Sequence, residues 1–325
     1  MKSSYVIPYT LYFVLLPLGL AVLLYFLMNT NLGFGGVVIG ATLLGLPHYV
    51  MGYYFRIAAL KRTHAHYSFF KTRILLFFLA HAALVSMYFF PDRSGALPVF
   101  ILSFVFPFHG TRDFAFFWHQ LTSNFSRFTY NTLFASAIGL SFIGILSSYF
   151  ITGFAVFNVF FSIPAGIKTV LFLIMTFAWV MYFWHLGLRP LKNILFSTLI
   201  VGGTWWWSIY LPRILTFYGA LYILAYFHFI IWLIFTYLKV FRFEGLIFPA
   251  DSGWARLGLY IRSSRMKFSA LVVGLHVLFI LIFFVLYNAY QLTFYDFAMQ
   301  NFLFGLYGFS FWTLGHIAFS SLFPR

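Results

Sequence analysis

Residues 268–290 read FSALVVGLHVLFILIFFVLYNAY, and this stretch decides the fold. It holds no Asp, Glu, Lys or Arg, and it exceeds the roughly 20 residues that a helix needs to cross a bilayer. Its apolar residues follow one another without the two-residue alternation of a barrel strand. The stretch therefore predicts a transmembrane helix.

Nine further apolar stretches of similar length predict about ten spans in all. They are 6–28, 33–55, 74–91, 97–120, 132–153, 167–188, 194–212, 214–238 and 301–322. The predicted fold class is all-α, a polytopic transmembrane helix bundle that forms a single integral membrane domain over 1–325.

The composition excludes the main soluble alternatives. Hydrophobic residues make up 63% of the chain and charged residues 8%, against about 25% charged in soluble domains. So few charges cannot cover a water-facing surface, which excludes a cytosolic enzyme, a disordered chain and a secreted scaffold. The absence of cysteine also excludes disulfides and thiolate metal sites.

The basic residues are unevenly distributed between the predicted loops. Of the 20 Lys and Arg residues, sixteen fall on one side, three on the other, and Arg112 inside a span. The positive-inside rule makes the richer side cytoplasmic, with both termini there. The net charge of +15 is then explained by this topology and by contact with anionic membrane lipids, without nucleic-acid binding. The expected location is a bacterial inner (cytoplasmic) membrane. The long loop 239–267 is basic and amphipathic, and we expect it on the cytoplasmic membrane face.

Histidine is the most informative residue type in the chain. The ten histidines are His48, His64, His66, His81, His109, His119, His185, His228, His276 and His316. Eight fall inside predicted spans, and all eight lie in the cytoplasmic half or near the midplane; His48, for example, is about 12 Å deep. An ionisable side chain inside a span is unfavourable, so it predicts function.

Eight histidines in one half of the predicted bundle predict that at least three imidazoles converge on one metal or cofactor. Without cysteine and with few carboxylates, the ligands are mostly imidazole, which suits Fe, Zn, Cu or Ni. Haem with two axial histidines is the other use of such residues. A structural role, in which each histidine joins two helices by a hydrogen bond, is the simpler alternative.

The most polar stretch inside a predicted span contains His109, Arg112 and Asp113. Positions i, i+3 and i+4 share one helix face, so these three side chains project together. A carboxylate one turn from a histidine can orient the imidazole, and Arg112 then supplies the counter-charge. The alternative is an ion pair that only fixes helix packing.

Aromatic residues make up 25% of the chain, and several flank the histidines. Trp184 adjoins His185, and Trp232 follows His228 by one helical turn. An aromatic-walled cavity around a metal suits a long apolar small-molecule substrate. The alternative is ordinary contact between these rings and lipid.

Three fragments resemble a known family. Gly45-Leu46-Pro47-His48, Phe108-His109-Gly110 followed by Asp113, and Phe183-Trp184-His185 are similar to segments of the bacterial Brp/Blh-type membrane β-carotene 15,15′-dioxygenases, in the same order.

The resemblance implies cleavage of a carotenoid by O₂ at a non-haem Fe(II), with His48, His109 and His185 as matching ligands. The family's acidic residue after the first fragment and the second histidine of the third fragment are absent here. His228 or His316, at compatible depth, is the expected replacement ligand. Asp113 and Arg112 are the expected catalytic residues.

Three functions follow from these features. The first is a membrane oxygenase that uses a metal, non-haem iron, held by intramembrane histidines and acts on an apolar lipid-like or carotenoid substrate. The second is a proton-coupled transporter whose intramembrane histidines carry protons. The third is a haem-binding electron-transfer protein. Whether His81, His119 and His276 join the site is left open by the sequence.

Overall fold

The computed structural model describes residues 16–63, 217–241 and 253–322, and the single positions 75, 78, 79, 82, 109, 155, 156, 159, 160, 170 and 173. Six helices lie in the continuous ranges: α1 Leu16–Thr63, α2 Phe217–Phe241, α3 Gly253–Arg262, α4 Arg265–Tyr290, α5 Phe294–Gln300 and α6 Leu306–Leu322. Apart from one small hairpin, this described part is all-helical, as predicted.

The hairpin is formed by two strands of two residues. β1 Ala155–Val156 pairs antiparallel with β2 Val159–Phe160, and Ala155 lies opposite Phe160. It belongs to one of two compact units, which comprises residues 1–16 and 103–224. The other unit, residues 17–102 and 225–325, contains nearly all of the described helices. The single membrane domain over 1–325 stays a prediction.

Helix α1 turns back on itself at Gly33. This glycine has φ 64° and ψ −167°, a conformation that side chains other than glycine rarely adopt. A Cβ placed at Gly40 would lie 3.4 Å from the Met28 Cγ. Twelve residues of straight helix would separate these positions by about 18 Å. Segments 16–32 and 34–63 are therefore antiparallel, and the break lies next to the predicted connection at 29–32.

Contacts along α1 fix the directions of its neighbours. From its middle towards its end, α1 meets α2 at Gly45 against Phe229, then α6 at Tyr49 against Thr313. Phe268, at the start of α4, packs near the far end of α1. A second contact sets each direction: Val37 meets Tyr226 of α2 and Tyr53 meets Phe319 of α6, so both helices run parallel to the second half of α1. Phe294, just past the end of α4, lies near Gly35, so α4 runs antiparallel to it.

Four helices meet in the unit formed by residues 17–102 and 225–325, at the end where the basic residues of α3 lie. The buried side chains there come from α1, α2, α3 and α4: Met51, Tyr54, Phe55, Val240, Ile261 and Phe268. Helix α3 lies within the predicted loop 239–267 and turns Gly258 and Ile261 inward while Arg256 and Arg262 are exposed. The amphipathic character predicted for this loop is present in α3.

Helix α4 leaves most of its apolar side chains uncovered. Val273, Leu281, Phe284 and Val285 are all exposed, and Phe268 and Phe283 are its buried residues. By length and composition alone, α4 and the stretch 16–55 of α1 are the two in the described ranges that are apolar and long enough to cross a membrane, and the stretch in α1 includes the turn at Gly33. The predicted spans 214–238 and 268–290 agree with α2 and α4 within a few residues.

The last predicted span, 301–322, begins later than expected. Asn301 ends α5, and its side-chain oxygen accepts hydrogen bonds from the Leu303 and Phe304 amides at 2.9 Å each. Helix α6 begins only at Leu306. Predicted spans 74–91, 97–120, 132–153, 167–188 and 194–212 lie outside the described residues, apart from isolated positions that are helical.

Candidate metal-binding histidine cluster

Three of the predicted ligands come together from three helices. His48 is on α1, His228 on α2 and His316 on α6, and their exposed fractions are 0%, 8% and 5%. The ring centre of His48 lies 5.0 Å from that of His228 and 4.5 Å from that of His316. His48 is therefore the shared member of a buried cluster that also includes His228 and His316, called the histidine cluster below.

Glycines on α1 make room for the rings that approach it. A Cβ at Gly52 would lie 2.9 Å from the His316 Cε1, and a Cβ at Gly45 would lie 2.8 Å from the Phe229 Cζ. Residues seven apart lie on one face of a helix, so both glycines border His48 on the same side. Neither position tolerates a side chain without displacement of its neighbour.

Pro47 precedes His48 and changes the local backbone. A proline has no amide hydrogen, so it cannot donate to the carbonyl four residues earlier, and it distorts the helix around it. His48 thus projects from a part of α1 whose regular hydrogen bonding is interrupted. In this structure the Gly-Leu-Pro-His fragment combines a small residue, a helix distortion and a buried imidazole.

Aromatic rings surround the cluster. The Trp232 ring centre lies 4.2 Å from that of His48, and the Phe229 ring centre lies 5.4 Å from it. Tyr49 and Tyr53 approach His316 at 5.1 Å and 6.0 Å. The predicted proximity of Trp232 to the histidines is therefore present, and the surroundings of the cluster are mainly aromatic.

A buried hydrogen bond joins α1 and α6 beside the cluster. The Tyr49 hydroxyl and the Thr313 hydroxyl are 2.6 Å apart. Tyr49 follows His48 directly, and Thr313 precedes His316 by one helical turn. The bond therefore holds together the two backbone segments that carry these imidazoles. Sequence reasoning missed this pair, as well as Gly52 and Phe229; the Gly45–Gly52 spacing of seven was the available signal.

Ring separations in the cluster are compatible with a shared ion. Imidazole nitrogens lie about 2.1 Å from a bound ion such as Zn²⁺, so two rings sharing one ion have centres roughly 4.5–5 Å apart. Both pairs that include His48 fall in this range. Across 16–63, 217–241 and 253–322, however, no group of three or more His, Asp or Glu side chains is arranged, as it stands, to hold a metal ion.

Haem fits these pairs less well. Two imidazoles on opposite faces of a haem, with bonds of about 2 Å, have ring centres roughly 6 Å apart. The pairs of His48 with His228 and His316 are closer than this, at 5.0 Å and 4.5 Å. The present separations are therefore shorter than a macrocycle between either pair requires.

The remaining predicted site residues are distributed differently. His109 is buried and helical, and it belongs to the unit formed by residues 1–16 and 103–224. The histidine cluster belongs to the other unit. His276, left open by the sequence, has its Nδ1 2.8 Å from the Val272 carbonyl oxygen of its own helix. The positions that lie outside the described residues are His81, Arg112, Asp113, His119 and His185.

No family model, curated protein or solved structure matches this chain. The resemblance of its three fragments to the carotenoid dioxygenases accordingly stays a prediction. The geometry of the described residues is what supports a function.

Proposed function

We propose that the chain is an integral membrane protein with about ten helical spans and both termini in the cytoplasm of a bacterium. Residues 33–55, 214–238 and 301–322 are all predicted to run towards the cytoplasm, and 268–290 away from it. The observed directions of the second half of α1, α2, α6 and α4 agree with this alternation. The exposed apolar surface of α4 further favours lipid around it.

We further propose that the histidine cluster binds a transition-metal ion, Fe(II) in the first place, and that the protein is an oxygenase. The observation that carries this proposal is the ring contact of His48 with both His228 and His316, all three buried and on separate helices. Since the donor atoms do not yet surround one point, the rings must turn when the ion binds.

The residues around the cluster favour an apolar substrate. Tyr49 is hydrogen-bonded to Thr313, so these two hydroxyl groups beside the cluster bind each other. The aromatic faces of Trp232 and Phe229 suit an unsaturated hydrocarbon such as a carotenoid, and they exclude water. Fe(II) in an open histidine site would supply the activation of O₂. The roles that the sequence predicts for His109, His185, Asp113 and Arg112 stay predictions and are not part of this cluster.

Metal analysis of purified variants tests the cluster. We expect stoichiometric iron in the wild-type protein, no Soret band, and loss of iron in His48→Ala, His228→Ala and His316→Ala. His276→Ala is the matched control, because that imidazole contacts its own helix backbone. We expect this variant to retain iron. Monodisperse elution of each variant in detergent shows that it has folded. Iron retained by all three cluster variants would contradict the site.

A cellular assay tests the reaction. Expression in bacteria that produce β-carotene is expected to bleach the cells, and His48→Ala is expected to abolish bleaching. Bleaching by His276→Ala shows that the loss is specific to the cluster. Unchanged colour with the iron-loaded wild-type protein would overturn carotenoid cleavage while leaving the metal site standing.

A proton-coupled transporter is the second candidate, favoured by one observation. His228, His48 and His316 form a chain of neighbouring imidazoles, which is an arrangement that can relay protons. Metal-free protein is reconstituted in liposomes, and acidification of the liposome lumen is measured under an applied potential. Acidification that is lost in His48→Ala would favour transport over oxygenation.

A further inference from the structure

Helix α3 and the first turn of α4 form a corner with an unusual exposed surface. Leu259 and Tyr260 are each 57% exposed, and Met266 is 79% exposed. Arg256 and Arg262 of α3 are exposed beside them. Large apolar side chains with this much exposure are unfavourable in water, and their alternation with guanidinium groups is typical of a helix at a membrane surface.

The opposite face of α3 is held against the protein. Ile261 is buried in the cluster that contains Met51 and Phe268, and Gly258 is buried next to it. The exposed face is therefore fixed in direction, since α3 cannot rotate without uncovering Ile261. Leu259, Tyr260 and Arg256 lie on the side that faces away from this core.

Contacts within the corner order it further. The Lys267 ammonium donates a hydrogen bond to the Ser263 hydroxyl at 2.9 Å and lies 4.3 Å from the centre of the Tyr260 ring. The Ser264 hydroxyl accepts a bond from the Met266 amide and so caps α4. These bonds link the end of α3 to the start of α4 and set the angle between the two helices.

The charge of the corner is entirely positive. Residues 253–290 contain no Asp or Glu, and Arg265 is exposed together with the two arginines of α3. In the sequence, Asp251 precedes α3 by two residues, and Asp296 lies beyond the far end of α4. The three guanidinium groups thus have no carboxylate from their own segment to neutralise them.

The corner lies where α4 would enter the bilayer. Helix α4 has 26 residues and is therefore about 39 Å long, against a hydrocarbon core of roughly 30 Å. After Met266, its next large exposed apolar residue is Val273, about 12 Å beyond Arg265. Insertion of α4 would therefore place Arg265, at its start, at the level of the lipid head groups.

We propose that α3 and the first turn of α4 bind anionic phospholipid. Arg256, Arg262 and Arg265 contact head-group phosphates, and Leu259, Tyr260 and Met266 lie among the upper parts of the acyl chains. The proposal rests on the proposed membrane insertion of α4 and is independent of the metal site. Exposed leucine, tyrosine and methionine between the arginines favour lipid over a nucleic acid.

Lipid retention in native mass spectrometry tests the electrostatic part. Detergent-solubilised protein is equilibrated with an equimolar mixture of phosphatidylcholine and phosphatidylglycerol. We expect preferential retention of phosphatidylglycerol, reduced roughly fivefold for each arginine replaced by glutamine at positions 256, 262 and 265. The matched control replaces Arg93, Lys168 and Arg213, which are predicted on the other side, and keeps the preference.

Two outcomes of this experiment would overturn the proposal. One is equal retention of the two lipids by the wild-type protein. The other is an equal loss of preference in the control, which would make the effect a matter of total charge.

Spin labelling tests the position of α3 separately. The chain has no cysteine, so Leu259→Cys, Leu278→Cys and Gln291→Cys can each carry a single label. In phosphatidylglycerol-containing vesicles we expect the Leu278 label deep in the bilayer, the Leu259 label at head-group level, and the Gln291 label accessible from water. A water-accessible Leu259 label with a buried Leu278 label would overturn the lipid contact of α3 alone. Water access at Leu278 would instead overturn membrane insertion.

Discussion

Replacement of Gly52 by alanine adds one methyl group where α1 meets the His316 ring. The added Cβ would lie 2.9 Å from the His316 Cε1 and 3.4 Å from its Nδ1. Carbon atoms pack at about 3.5–4.0 Å, so the ring must retreat by roughly 0.6–1.1 Å. Ligand sites require placement within about 0.5 Å, so a displacement of this size is expected to weaken the ability of His316 to share an ion with His48.

The expected free-energy change is that of an overpacked core. Insertion of a methyl group into a tightly packed site destabilises by about 1–3 kcal/mol. The neighbouring atom belongs to a ring, and the Trp232 Cζ2 lies 3.8 Å from the same Cβ position, which limits the space available for retreat. We therefore expect Gly52→Ala to lose stability and most of its bound metal together.

Gly274→Ala provides the matched control on α4. A Cβ there meets no atom within 4 Å, and alanine favours a helix over glycine by up to about 1 kcal/mol. Thermal unfolding in detergent and metal content are measured on both variants. Wild-type stability and metal content in Gly52→Ala would refute the close contact between Gly52 and His316.

Three other variants test separate contacts. Tyr49→Phe removes the bond to Thr313 and is expected to destabilise by about 0.5–1.5 kcal/mol in thermal unfolding; Thr313→Val in that background should add little, and full additivity would contradict the bond. Leu281→Arg places a charge on the exposed face of α4 and is expected to disfavour its membrane insertion by about 2.5–3.5 kcal/mol in a glycosylation-mapped assay, whereas Gln291→Arg leaves insertion unchanged. Asn301→Ala removes the acceptor of two amide hydrogens and is expected to lower stability by about 1–2 kcal/mol, while Asn301→Asp retains it.

Hydrophobic length alone predicted several of the helices. Residues 268–290 and 214–238 correspond to α4 and α2, because a long apolar run without charges has helix as its favourable state. The turn at Gly33 lies one residue past the connection 29–32 that was predicted between two apolar runs. Length does not reveal side-chain caps, which is why the role of Asn301 and the separate helix α5 were missed.

The predicted depths of the histidines in the membrane identified part of the histidine cluster, but depth alone does not determine which imidazoles meet. Distance along a helix gives the level of a side chain in the membrane, and His48, His228 and His316 share a level and meet. His276 has a comparable depth, yet its ring contacts the Val272 carbonyl of its own helix. The direction in which a residue points around the helix depends on how that helix packs, and a hydropathy pattern in an all-apolar helix carries little of that information.

Close packing on α1 explains why the imidazoles and the helix contacts occur together. In the proposed membrane setting, lipid would leave little hydrophobic driving force between helices, so their association would depend on small residues that let surfaces approach. Gly40 admits the Tyr226 hydroxyl, which donates to the Val37 carbonyl at 2.9 Å, and Gly52 admits the His316 ring. The contacts that associate α1 with α2 and α6 are thus the ones that set the histidine separations. Any change that loosens this packing must alter stability and the cluster together, so only variants that keep their stability can assign a direct role to an imidazole.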